Sequence, residues 1–214
     1  MNRFSTIAEL KTWIAGRLDP FDAEHSSHPH QSDFDLNPAM APAGGAALTP
    51  AAVLVPLIER PSGLSVLLTR RSDSLRKHTG QVAFPGGRVD PGETHWAAAL
   101  REAEEEIGLS RAHVSLAGRS TPYRTGTGYL VTPVVGFLPP DLPLTPNPAE
   151  VADIFETPFS FLMDQANHEE RHYETPDGQR RRYYAMNWEN QLIWGATAGM
   201  LRALSDRLFG VTIA

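Results

Sequence analysis

The chain has 214 residues, a formal net charge of −6, no cysteine and eight histidines, with 41% apolar and 21% charged residues. That length and composition suit one globular domain with its own core plus an appendage. The negative balance argues against nucleic acid as main partner, since phosphate backbones call for basic surface, and the missing cysteines exclude disulfides and thiolate metal sites.

The first segment, Met1 to Leu18, lacks the unbroken apolar stretch of a secretory signal. No run approaches the ~20 apolar residues of a membrane span, and Thr212-Ile213-Ala214 is not a peroxisomal address. No membrane partner and a cytoplasmic location are expected. Ile7, Leu10, Trp13, Ile14 and Leu18 recur at helical spacing, predicting a helix over 5–18 with Ser5 as its cap. Residues 19–48 turn to Pro, His, Ser, Asp, Ala and Gly and read as an extended arm. His25, His28 and His30 lie in this arm, too loosely spaced for a metal site. The expected division is therefore 1–48, helix and arm, and 49–214, the main domain.

Val53 to Ile58 is a continuous apolar run, predicting a strand buried on both faces, with Pro56 expected at an edge, an end or a bulge. Pro61-Ser62-Gly63 is a turn, and Leu64 to Thr69 pairs back as a hairpin. Further strands are expected at Val114 to Ala117 and Tyr129 to Leu138. Five prolines between Pro139 and Pro148 predict a surface connection. Glu150 to Phe155 reads as a strand and Phe159 to Leu162 as a short helix. Tyr173 and Tyr183 to Met186 flank Pro176-Asp177-Gly178, a hairpin signal, and Leu192 to Phe209 predicts the last helix. Strands interspersed with a few helices favour a mixed α/β (α+β) layered fold.

The most informative stretch is Gly86 to Leu109. On a helix, Trp96, Ala99, Leu100, Ala103 and Ile107 share one face. Glu102, Glu105 and Glu106 fall nearly opposite, three carboxylates within one turn. Each such like-charge pair destabilises a helix by roughly 0.2–0.5 kcal/mol, and only Arg101 is near enough in sequence to offset them. A solvated acidic face is one reading. A site for Mg²⁺ or Mn²⁺ is the other, because hard cations take carboxylate oxygens together with phosphate oxygens. Gly86-Gly87, the Asp90-Pro91-Gly92 turn, Thr94 as N-cap and Gly108 as terminator deliver a tight loop into this helix.

Gly87, Glu93, Arg101, Glu102, Glu105, Glu106, Gly108 and Leu109 fall at the spacing of the Nudix box, and in this stretch the chain resembles the Nudix hydrolases. Ala103 departs from the usual Ile, Leu or Val, a change of packing alone. The resemblance implies a mixed β-sheet sandwiched between helices, with the box as a loop-helix-loop. It implies Mg²⁺ or Mn²⁺ held by Glu102, Glu105 and Glu106 with the Gly86 carbonyl, and a pairing of Glu93 with Arg101.

Upstream, Arg70, Arg71, Arg76, Lys77 and His78 crowd together in an acidic chain. Arginine offers phosphate a planar two-pronged contact. Leu67, Leu68, Thr69, Arg71, Ser72, Arg76, Gly80 and Phe84 to Gly87 match the signature of the coenzyme A pyrophosphatases within the Nudix family. That resemblance implies cleavage of CoA, or a derivative, to 3′,5′-ADP and 4′-phosphopantetheine, with Arg71 and Arg76 as candidates for the adenosine diphosphate and 3′-phosphate. Glu105 is the first choice for general base; Glu150 and Glu156 follow. Tyr183 and Trp188 are candidates for a pantetheine groove, and Arg180 to Arg182 read as a solvated hairpin tip. Two rivals stand beside this reading: a Nudix pyrophosphatase for ADP-ribose or NADH, and a Nudix-fold binding module without catalysis. Oligomeric state is left open.

Overall fold

A computed structural model describes residues 4–23, 30–42, 47–72 and 80–210. His25, His28, Arg76, Lys77 and His78 lie outside the described residues. Helix α1 spans Ile7–Ala15. Its cap is Thr6, whose side chain accepts from the Glu9 N–H, and not Ser5, whose own N–H donates to the Glu9 carboxylate. The two bonds together satisfy donors that a helix start leaves open.

Within the arm, β1 (Gln31–Ser32) is a short strand. The main sheet follows with β2 (Thr49–Arg60), β3 (Gly63–Arg71), β4 (Val82–Ala83) and β5 (Gly86–Arg88). Helix α2 (His95–Ile107) precedes β6 (Ser115–Arg119), β7 (Tyr123–Arg124), β8 (Tyr129–Leu138) and β9 (Val151–Pro158). Then come α3 (Phe159–Met163), β10 (Glu169–Glu174), β11 (Arg180–Trp188), β12 (Gln191–Trp194) and α4 (Ala196–Phe209). Among the described residues, nine strands form one mixed sheet, ordered β1-β7-β8-β2-β3-β4, with β5 on β2, β6 on β8 and β9 on β3. Strands β10 to β12 form a separate antiparallel sheet. Leu192 to Trp194, expected to begin the last helix, belong instead to strand β12, because Gln191–Trp194 pairs with Ala185 to Trp188. Gly195, at φ 65°, then breaks the chain into α4.

The two-residue period of β2 divides the core. Ala51, Val55 and Leu57 join one apolar cluster with Ile14, Phe159, Met186, Leu201 and Leu204. Ala52, Leu54 and Ile58 join the other with Ala98, Ala99, Ala103 and Ile107 of α2. The sheet is therefore covered on both faces, as a run apolar at every position requires. Pro56 sits in the interior of the sheet, opposite Gly136 of β8. It is tolerated because the other flank of β2 pairs with β5 only at residues 51–53 and with β3 only at 57–60. The Leu54 N–H on that flank reaches the Pro85 carbonyl, and Pro56, two residues on, falls in the gap where no ladder bond is missing.

The proline-rich segment 139–148 is irregular. It also serves α2: the N–H groups of Asn147 and Thr145 donate to the Glu106 and Ile107 carbonyls, orphans of the helix end.

Candidate active site

Helix α2 is set by its ends. Thr94 accepts from the Ala97 N–H, and Gly108, at φ 66°, terminates the helix in the left-handed region. Ala98, Ala99 and Ala103 are fully buried. Their small side chains bring the helix close to the sheet, and Ala103 is part of that fit.

The three carboxylates occupy three environments. Glu105 is exposed, Glu102 is largely covered, and the Glu106 side chain is 5% exposed. The expectation that all three face away from the core fails for Glu106, because the Gly86–Arg88 segment lies over that flank of the helix. The Gly86 N–H donates to Glu106 Oε2 at 3.2 Å. Two glycines make the close approach possible. A Cβ on Gly87 would overlap the Glu102 carboxylate, and one on Gly86 would overlap the Ala52 carbonyl oxygen and the Val53 backbone.

Arg101 gathers the other acids of the loop and helix. Its Nε and Nη2 meet the two Glu93 oxygens at 3.1 and 3.0 Å, so the expected pairing of Glu93 with Arg101 is present. Nη1 reaches Glu102 at 2.8 Å and Glu105 at 3.5 Å, and Nη2 also donates to the Arg88 carbonyl. One guanidinium thus joins loop and helix and offsets their charge. It holds the Glu93 carboxyl below its ordinary pKa. Glu106 moves the other way: burial pushes it up to about 7, against the opposing pull of the Gly86 N–H and Arg71.

Arg71 ends β3 beside a register shift in its pairing with β9. Its Nη1 lies 3.9 Å from Glu106 Oε1, and its buried Nε has no hydrogen-bond partner among the described residues. Glu150 is nearby: its carbonyl accepts from the Ser72 N–H, its side chain from Asn147, and its charge helps raise Glu106. Glu156 is elsewhere. It pairs with Leu67, five residues along β9 from the partner of Arg71, roughly 15 Å away, and it is clamped by Arg60.

A cleft of about 370 Å³ opens beside Arg71. Tyr123, Arg181, Tyr183 and Trp194 line it, together with Asp33 of the arm. Of Arg180 to Arg182, Arg180 and Arg182 are exposed at the hairpin end as expected, whereas Arg181 turns into the cleft. All three open β11, with the turn at Thr175–Gln179 beyond them. Arg182 bonds the Leu36 carbonyl, and its backbone N–H and carbonyl bond Asn37. Trp188 stays out of this cleft, packed on Phe161 at 4.8 Å. Asp33 and Tyr123 carry no motif signal. Their residues meet only because β1 pairs in parallel with β7, some ninety positions away.

Three carboxylates on one helical turn are suitable oxygen donors for a hard divalent cation. Among the described residues they do not converge as a ready ligand set, because Glu102 and Glu105 turn onto Arg101. The poorly compensated, buried Glu106 carboxylate is the point at which a cation is most wanted.

A mixed sheet between helices, with a glycine loop laid against an acidic helix, is the architecture implied by the box for a hydrolase of diphosphate linkages. A NUDIX domain family model matches residues 48–178. Over 161 residues the chain is 47% identical to the Nudix hydrolase NudL of Photorhabdus laumondii, covering 74% of this chain and 84% of that protein. Over 159 residues it is 43% identical to NudL of Yersinia pestis, covering 74% and 79%. Among solved structures, the Nudix hydrolase RenU of M. smegmatis aligns with a TM-score of 0.47 at 26% identity, over 57% of this chain and 78% of that one. The chain belongs to the Nudix family. Among the described residues no helix is long and apolar enough to cross a membrane.

Proposed function

We propose that this Nudix protein hydrolyses the diphosphate bond of coenzyme A, or of a CoA derivative, to 3′,5′-ADP and 4′-phosphopantetheine. The observation that carries the reading is the placement of Arg71, a residue of the CoA-type signature, 3.9 Å from Glu106 of the box. The two motifs meet in space. A half-buried guanidinium whose buried Nε lacks a partner among the described residues suits an anionic oxygen arriving beside the acidic helix.

Glu102, Glu105 and Glu106, with the Gly86 carbonyl, would hold Mg²⁺ or Mn²⁺. When bound, the ion supplies charge neutralisation at the phosphoryl oxygens and acidifies a water. The chain's own groups do the rest. Arg71 orients the diphosphate from the β3 side. Arg101, fixed by Glu93, keeps the loop and helix in register and holds Glu102 and Glu105 until a cation draws them toward the substrate. Glu105, the most exposed of the three acids, is the first choice to take the proton of the attacking water; Glu150 is the second. Glu156 drops out, being held by Arg60. Residues 49–214 form the catalytic unit and 1–48 a helix and arm that complete its cleft, in a cytoplasmic protein with no nucleic-acid partner.

The test is incubation with Mg²⁺ and, separately, CoA, acyl-CoA, ADP-ribose and NADH, with products identified by mass. Release of 3′,5′-ADP from CoA at a kcat/KM well above the others is expected. Preferred turnover of ADP-ribose or NADH would assign the chain to the neighbouring specificity. No turnover of any would point to a binding module.

A further inference from the structure

The cleft beside Arg71 holds more cationic and aromatic chemistry than the diphosphate reaction uses. Arg181 reaches into it from β11. Its Nη2 contacts Asp33 Oδ2 at 3.4 Å, its one ion pair among the described residues. Asp33 is itself pinned: it accepts from the Tyr123 hydroxyl at 2.9 Å and from the Gly126 N–H at 2.6 Å. Burial, reinforced by the Asp33 charge, pushes the Tyr123 phenol above its ordinary range, so it stays a donor. The carboxylate is thereby spoken for on both oxygens, and it positions Arg181 over Gly126 without occupying the whole fork. Beside it, Tyr183 meets Trp194 edge-on at 5.5 Å and Tyr173 at 5.9 Å. Both Tyr183 and Trp194 are only partly buried.

We propose that this cleft is the subsite for the adenosine 3′-phosphate of the substrate, with Arg181 contacting the phosphomonoester, Asp33 positioning Arg181, and Tyr183 with Trp194 offering flat faces to the base. The proposal rests on the CoA reading for its ligand. The chemistry selects that end of the molecule. A pantetheine arm is uncharged and flexible and has no use for a held guanidinium. A purine carrying a phosphate matches aromatic faces next to an arginine fork. The volume, about 370 Å³, lies in the range of small-molecule sites. Arg71, which also lines the cleft and stands 3.9 Å from Glu106, is left for the diphosphate. The arm then has a role: without Asp33 on β1's flank, Arg181 has no fixed direction.

Two variants test this. Arg181→Ala removes the fork. Gly126→Ala keeps it but places a Cβ where Nη2 lies, and because only the tip of a flexible side chain must move, the fold tolerates it. Adenosine 3′,5′-bisphosphate and 5′-AMP are titrated calorimetrically into the full-length chain without metal. The wild type is expected to prefer the bisphosphate by roughly tenfold or more, the scale of one charge-assisted contact, and both variants are expected to lose that preference. With Mg²⁺, the ratio of kcat/KM for CoA to that for dephospho-CoA is expected to fall by a similar factor. A wild type without the preference, or two variants that keep it, overturns the subsite. A wild type that prefers the bisphosphate yet cleaves neither CoA nor dephospho-CoA leaves the subsite standing and removes the CoA reading. Should Arg181→Ala not fold, Gly126→Ala alone decides.

Discussion

Glu106 and Arg101 show how one helical turn can give its residues opposite electrostatics. Arg101 takes up Glu93, Glu102 and Glu105, whereas Glu106 is turned inward toward Gly86 and Arg71. A carboxyl raised by burial from its ordinary 4.5 to about 7 keeps its proton in the folded state after the unfolded chain has lost it. Its contribution to stability is therefore full below about pH 4.5 and is lost as pH rises through about 7. In metal-free protein, Glu106→Gln should gain on the wild type by about 5 °C in Tm between pH 5 and pH 8. A difference that does not change with pH would show that Glu106 is ionised throughout. With Mg²⁺ present the same variant should lose turnover by about a hundredfold or more while remaining folded; near-wild-type kcat would remove Glu106 from the metal shell. Arg71→Ala should lower kcat/KM for CoA and dephospho-CoA by the same factor, since it faces the diphosphate that both contain. A selective loss on CoA would move Arg71 to the 3′-phosphate.

At the scale of the element, the glycine loop and α2 form one unit, and the two glycines separate its mechanical and chemical tasks. A methyl on Gly86 meets the backbone of β2, which has nowhere to go. Gly86→Ala should destabilise by about 3 kcal/mol, measured by urea unfolding. A methyl on Gly87 meets only the carboxylate end of Glu102, which can swing. Gly87→Ala should fold with little change in Tm yet lose activity about tenfold or more, because Glu102 is displaced from its place beside Arg101. If the two variants behaved alike, the loop would not be packed as described. The far end of α2 is served in the same manner by the proline-rich segment, whose N–H groups close the Glu106 and Ile107 carbonyls and bring Glu150 to the site.

Across the whole molecule, the last helix is tied to the start of the arm. Arg207 of α4 donates to both oxygens of Asp19, and the side chains are 2% and 5% exposed. Breaking such a buried pair from one side costs about 3–5 kcal/mol, because the remaining charge stays out of water. Asp19→Ala should show a loss of that size in denaturant unfolding; a change under 1 kcal/mol would mean water reaches Arg207. The arm is fastened just as firmly, through β1 on β7 and through Asn37 on Arg182, so the cleft wall is part of the folded body.

What could be read from the amino acids alone was whatever local chemistry dictates. The period of α2, its Thr94 and Gly108 ends, the apolar strands and the order of acids in the box all follow from residue spacing, and so did the family. The two-sided burial of β2 was visible as an unbroken apolar run. Pro56 was misplaced because its tolerance depends on where two other strands stop. Leu192 to Trp194 were misassigned because pairing with β11 outweighs their apolar continuity with α4. The inward turn of Glu106, the meeting of Arg71 with it, and the cleft built from Asp33, Tyr123 and Arg181 were decided by tertiary structure alone: they join residues tens of positions apart, and no spacing rule carries information over loops whose path is set by the packing of the sheet.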